Sequence, residues 1–167
     1  ATLKLSGQTT IEFDGMIRSD LQLIPSAGAT LRDLTLEIPL KAEHARYLYH
    51  FPGQWGSVAN SGFLPRDGWT HAFKPCVWLG DEDRGLEWFC ESPENWFPVG
   101  SPTALQIERG DKVVTLRCRL IQGEMKLDRP LQYIFGFEAT PCKQPEKTVW
   151  DYRITHHGNY GLENQPA

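Results

Sequence analysis

Two-residue alternation of apolar and polar side chains recurs along this chain and limits its fold more than any other feature. Leu34, Leu36, Ile38 and Leu40 alternate with Thr35, Glu37 and Pro39. Val114, Leu116, Cys118 and Leu120 alternate with Thr115, Arg117 and Arg119. Leu131, Tyr133, Phe135 and Phe137 alternate with Gln132, Ile134, Gly136 and Glu138. Successive side chains of a strand point to opposite faces, so each run predicts a strand with one apolar face. That face has to be buried against a second layer. Shorter runs extend the set: Leu3 and Leu5, then Ile11 and Phe13 closed by Asp14-Gly15, then Ile17 to Ile24 closed by Pro25 and Gly28. Pro39 cannot donate to a ladder, which places its strand at an edge or an end.

The breaks between runs carry the rest of the topology. The chain has 12 prolines and 15 glycines in 167 residues, enough to punctuate many short elements. Lys41 to His50 reads as one short helix, with Ala42, Ala45 and Tyr49 at helical spacing and Phe51-Pro52-Gly53 as its stop. Pro52 to Gly68 reads as a long loop. Phe73 to Leu79 and Leu86 to Cys90 flank a polar turn, Gly80 to Gly85, and read as a β-hairpin. The sum is an all-β protein, an antiparallel β-sandwich with one short helix. Residues 1–145 form the sandwich. Residues 146–167, with a single apolar patch at Thr148-Val149-Trp150, read as a linker or the truncated start of a following element.

Composition excludes several classes. Seventeen Lys and Arg against 21 Asp and Glu give a net charge of -4, which argues against a nucleic-acid partner. No apolar run is long enough for a membrane span. The chain starts at Ala1 with no basic leader and no apolar run, so a signal peptide is expected to be absent or already removed.

The chemistry is sparse. Cys76, Cys90, Cys118 and Cys142 have no CxxC spacing, so no zinc site is expected. Two disulfides stay open in an oxidising compartment; otherwise all four read as core thiols. Asp81, Glu82 and Asp83 read as a solvated hairpin tip, since turns attract Asp and the twelve-residue calcium pattern is not met. Neither His156-His157 nor His44 with His50 has the spacing of a metal pair. Walker A, GxSxG and GxGxxG patterns are absent. No cofactor, metal or catalytic residue is expected within this chain.

The 6 Trp, 5 Tyr and 8 Phe are the remaining lead. Trp78 and Trp88, in the hairpin, read first as core. Trp55, Trp69 and Trp96, in Gly/Pro-rich loops, are expected to be harder to bury. These five tryptophans are the candidates for a carbohydrate or interdomain contact.

Three segments carry a family resemblance: Asp14-Gly15-Met16; the run Val77-Trp78-Leu79-Gly80-Asp81-Glu82-Asp83-Arg84-Gly85-Leu86-Glu87-Trp88-Phe89, followed by Glu91 and Asn95-Trp96; and Phe137 to Pro145. In order and spacing they resemble the amino-terminal β-sandwich region of proteins related to glycoside hydrolase family 123. The likeness runs from about Ile11 to Trp150, departing in the exit segment, where Gln144 precedes Pro145. The resemblance implies a sandwich followed by a (β/α)₈ barrel that holds a catalytic Asp-Glu pair and removes N-acetylgalactosamine by substrate-assisted hydrolysis. Residues 146–167 would then be the linker or truncated start of that barrel, which itself needs about 250 residues. The expectation is a non-catalytic accessory domain that braces the barrel, in an extracellular or periplasmic protein. The alternative is an independent carbohydrate-binding module that uses the loop tryptophans, with glycan as its partner.

Overall fold

The computed structural model describes residues 2–52 and 60–142. Among the described residues, eleven strands run in chain order: β1 (Leu3–Ile11), β2 (Ile17–Pro25), β3 (Ala29–Lys41), β4 (Tyr47–Phe51), β5 (Ser61–Phe63), β6 (Trp69–His71), β7 (Cys76–Gly80), β8 (Gly85–Cys90), β9 (Leu105–Arg109), β10 (Val113–Leu127) and β11 (Leu131–Thr140). They form a seven-stranded sheet ordered β1-β2-β11-β8-β7-β4-β5 and a four-stranded sheet ordered β3-β10-β9-β6. All pairings are antiparallel. The expected all-β sandwich is the observed fold.

The alternating runs supply its core. Val114, Leu116, Cys118 and Leu120 of β10 lie inward with Leu105 and Ile107 of β9. Val77, Leu79, Trp88, Tyr133 and Phe135 meet them from the larger sheet. β3 lies at an edge of its sheet, where Pro39 stands opposite Thr115. A register shift between Gln122 and Met125 bends β10 against β3, and Gly123 there takes a φ of 91° that disfavours a side chain.

Two expectations fail locally. The segment Lys41 to His50 is not a helix. A three-residue 3-10 turn, Ala42–His44, ends β3, and the chain re-enters the sheet as β4. Leu48 and His50 turn into the core while Tyr47, Tyr49 and Phe51 turn outward, so the period there is two. Pairing with β7 over Tyr47 to Phe51 satisfies the backbone that a helix would have satisfied internally. The long loop after Pro52 also contains a strand, β5, paired to β4. Trp55, Trp150, His156 and His157 lie outside the described residues. Among those described, no helix is long and apolar enough to cross a membrane.

Candidate functional site

The sandwich leaves the seven-stranded sheet with an outer face, and the sequence concentrates unusual chemistry there. On β4, β7, β8 and β11 the inward residues are Leu48, His50, Val77, Leu79, Trp88, Cys90, Tyr133 and Phe135. The alternate positions therefore point outward. Register sets them in rows across the strands. Tyr49 stands opposite Trp78, Trp78 opposite Glu87, and Glu87 opposite Glu138. With adjacent strands ~4.8 Å apart, this row spans roughly 14 Å. A second row runs Phe51, Cys76, Phe89, Gly136 and Arg18. A third runs Tyr47, Gly80, Gly85 and Thr140.

The glycines of these rows are the floor on which the aromatic rings lie. A Cβ at Gly80 or at Gly85 would collide with the Trp78 indole. One at Gly136 would collide with the Phe89 ring. The Trp78 ring is thereby laid flat across the β7–β8 hairpin, and its Nε1 donates to Thr140 Oγ1 at 3.0 Å. That bond joins residues 62 apart in sequence and fixes the end of β11 to the hairpin.

Two half-buried carboxylates share the face. Residues directly opposite on one face have Cβ atoms about 4.5–5.5 Å apart, and like charges there repel. The Cys76 thiol donates to Glu87 Oε1 at 2.7 Å, and the Cys142 thiol to Glu138 Oε1 at 2.7 Å. Burial, then the bond to Glu87, pushes the Cys76 thiol up to about 12. The bond to Glu138 is the main reason the Cys142 thiol is raised. Both thiols stay protonated donors, which suits them to hold a carboxylate and not to act as nucleophiles. A cavity of about 360 Å³, lined by Met16, Arg18, Phe89, Glu91, Ile134 and Gly136, opens beside the pair.

The acidic turn of the hairpin is a fastening. Asp81 Oδ1 accepts the backbone N–H groups of Asp83 and Arg84 at 2.9 and 2.8 Å. The His44 imidazole Nδ1 lies 2.7 Å from Oδ2 and donates to it, since the ionised carboxylate can only accept. The His44 bond, then the two backbone bonds, hold the Asp81 carboxyl down to about 2. Glu82 accepts from Arg46 at 2.6 Å and from the Tyr47 hydroxyl at 2.6 Å. The Arg46 guanidinium lies over the Tyr47 ring at 5.2 Å and the Phe63 ring at 5.5 Å. The turn is a solvated tip, with Glu82, Asp83 and Arg84 exposed, and it also ties the start of β4 to the β7–β8 hairpin. Among the described residues no group of three His, Cys, Asp or Glu is arranged to hold a metal.

The five tryptophans separate. Trp78 is half-buried on the outer face. Trp88 is in the core, and so is Trp96, at 2% exposure. The expectation that Trp96 resists burial is corrected: Phe73, Trp88 and Tyr133 close around it at 5.3, 5.4 and 6.1 Å. Trp69 is half-buried on β6, the edge strand of the smaller sheet, 5.3 Å from His71 and 5.2 Å from His50. It borders a cleft of about 140 Å³ that Asn60, Ser61 and Phe63 also line. Burial first, then the charges of His71 and Lys74, lower the pKa of His50. Trp55 lies outside the described residues. Sequence reasoning missed Tyr49, Phe51, Glu138 and the thiol partners of the carboxylates. Alternation alone puts Glu87 and Glu138 on polar faces; only the register puts them side by side.

Fold and face together define an antiparallel β-sandwich domain with an aromatic and carboxylate-bearing sheet surface. The family model described as Glycoside hydrolase 123, third domain matches residues 1–94, which is β1 through β8 and the turn after it. That is more than half of the 167 residues, and the chain belongs to this family. No curated protein matches the chain. No solved structure matches it either.

Proposed function

We propose that this chain is a non-catalytic accessory domain of a larger glycoside-hydrolase-type protein and that it braces the catalytic barrel. Residues 146–167 then lead toward that barrel, whose activity would be N-acetylgalactosaminidase-like and whose compartment extracellular or periplasmic. The observation that carries the reading is the outer face itself. It sets Tyr49, Phe51 and Trp78 beside two half-buried carboxylates on an open sheet, a surface suited to being covered. Both carboxylates accept from protonated thiols, Glu87 from Cys76 and Glu138 from Cys142, and this structural use of the pair supports the non-catalytic reading.

The test is the parent polypeptide with and without residues 1–142. Removal lowers the melting temperature of the remaining domains or makes them aggregate. Unchanged melting and solubility would contradict a bracing role. The second reading, glycan binding, has one observation in its favour: Trp69 borders the 140 Å³ cleft. Calorimetric titration of the isolated chain with galactosides and N-acetylgalactosaminides decides it, and loss of any binding on Trp69→Ala would localise the site.

A further inference from the structure

We infer that the outer face is covered by a neighbouring domain of the same polypeptide, and that this domain presents an arginine to the Glu87–Glu138 pair, beside Trp78 and Phe89. The inference rests on the accessory-domain reading and adds the partner's chemistry to it.

Charge points to a cation. Glu87 and Glu138 stand directly opposite each other, half-buried, and a like-charged pair in that position is unfavourable. Among the described residues neither makes a salt bridge. Each receives one thiol hydrogen bond, on Oε1. Arg18 is the nearest outer-face cation by register. It stands opposite Gly136, diagonal to Glu138, and pairs with neither carboxylate. Among the described residues, the centre of the face has no positive charge paired to these carboxylates.

The molecule itself holds a precedent. At the other end of the same face, Arg46 lies over Tyr47 and Phe63 and donates to Glu82. A carboxylate next to aromatic rings is there completed by a guanidinium that stacks and hydrogen-bonds at once. Glu87 next to Trp78, with Glu138 beside it, repeats the aromatic and acidic parts of that arrangement without the arginine. A lysine would neutralise the pair as a point charge, but it would not stack on the indole or bridge two carboxylates through a planar fork.

The last described residues also lie on this face. β11 ends at Thr140, whose hydroxyl accepts from Trp78, and the Cys142 thiol sits on Glu138. The residues that follow Cys142 in sequence are therefore joined to the chain at this face. The cavity beside Phe89 and Ile134 gives an apolar side chain of the same partner a place to seat.

The experiment is hydroxyl-radical footprinting of the full-length parent polypeptide and of the isolated chain, each as wild type and as Glu138→Lys. We expect Tyr49, Trp78 and Phe89 to be protected in the parent and open in the isolated chain. In the parent, Glu138→Lys should raise the open population by about thirtyfold or more, the usual scale for leaving a buried charge without its partner. In the isolated chain the same variant should melt no lower than wild type, since it relieves the repulsion. This control separates lost docking from lost folding. Wild-type protection that survives Glu138→Lys refutes the arginine and leaves the accessory role standing. No protection in the parent refutes both. Protection in the isolated chain overturns the neighbouring domain as occupant: if it depends on concentration, a second copy covers the face, and if it is lost on truncation after Cys142, residues 143–167 do.

Discussion

Gly85→Ala tests why the hairpin has its sequence. A Cβ at residue 85 enters the space of the Trp78 indole, with Cε2, Cζ2 and Nε1 as its nearest atoms. The ring then has to move, and its 3.0 Å bond to Thr140 Oγ1 is lost or stretched. Overpacking of this kind costs about 1–3 kcal/mol. The hydrogen bond adds about 1 kcal/mol. Replacing glycine stiffens the unfolded chain and returns about 0.5 kcal/mol. The net is a loss of about 2 kcal/mol, or a melting temperature lower by about 4–8 °C for a domain of this size. Urea denaturation followed by tryptophan fluorescence reads the free energy directly. The decisive arm is the double-mutant cycle. In a Trp78→Ala background, Gly85→Ala should be neutral or slightly stabilising, with an interaction energy of about 2 kcal/mol. If Gly85→Ala costs the same with and without the indole, the glycine is there for another reason and the account of the face is wrong.

Trp96→Ala should cost about 3–5 kcal/mol in chemical denaturation, as expected of a core aromatic, whereas an exposed loop residue would cost almost nothing. The folded-state carboxyl of Asp81 is held below its ordinary value of 3.8, at about 2. Its contribution is therefore present above pH 4 and is lost as the pH falls toward 2. Asp81→Asn should flatten that part of the stability-versus-pH curve relative to wild type, and an unchanged slope would show that the tie is not formed. Cys118 is fully buried and burial raises its pKa well above the ordinary thiol value. Iodoacetamide at pH 8 should label it only after unfolding, as mass spectrometry of native and denatured samples would show.

Much of this architecture is legible in the sequence because it depends on local periodicity. The run Leu34 to Leu40 and the run Leu131 to Phe137 each show their inward face directly. The β7–β8 hairpin is marked by its polar turn and flanking glycines. What escapes notice depends on partners far away in the chain. Tyr47 to Phe51 could suit either period, and only pairing with β7 selects the strand. Trp96 sits among turn residues, yet Phe73, from the connection before β7, and Tyr133, from β11, enclose it. Glu87 is visible as an outer-face residue of the hairpin. Its neighbour Glu138 is found only from the register of β11 on β8, a long-range fact that no local pattern encodes. The aromatic and carboxylate face is thus the product of register, and the sequence shows its parts without showing that they meet.

The central claim is that this sandwich supports a hydrolase without performing the chemistry. Hydrolysis of an aryl N-acetylgalactosaminide by the isolated chain, compared with its Glu87→Gln variant and with the parent polypeptide, tests it most directly. The account predicts that the isolated chain and its variant release no more product than buffer, while any turnover resides in the parent. Turnover by the isolated chain that Glu87→Gln abolishes would contradict it.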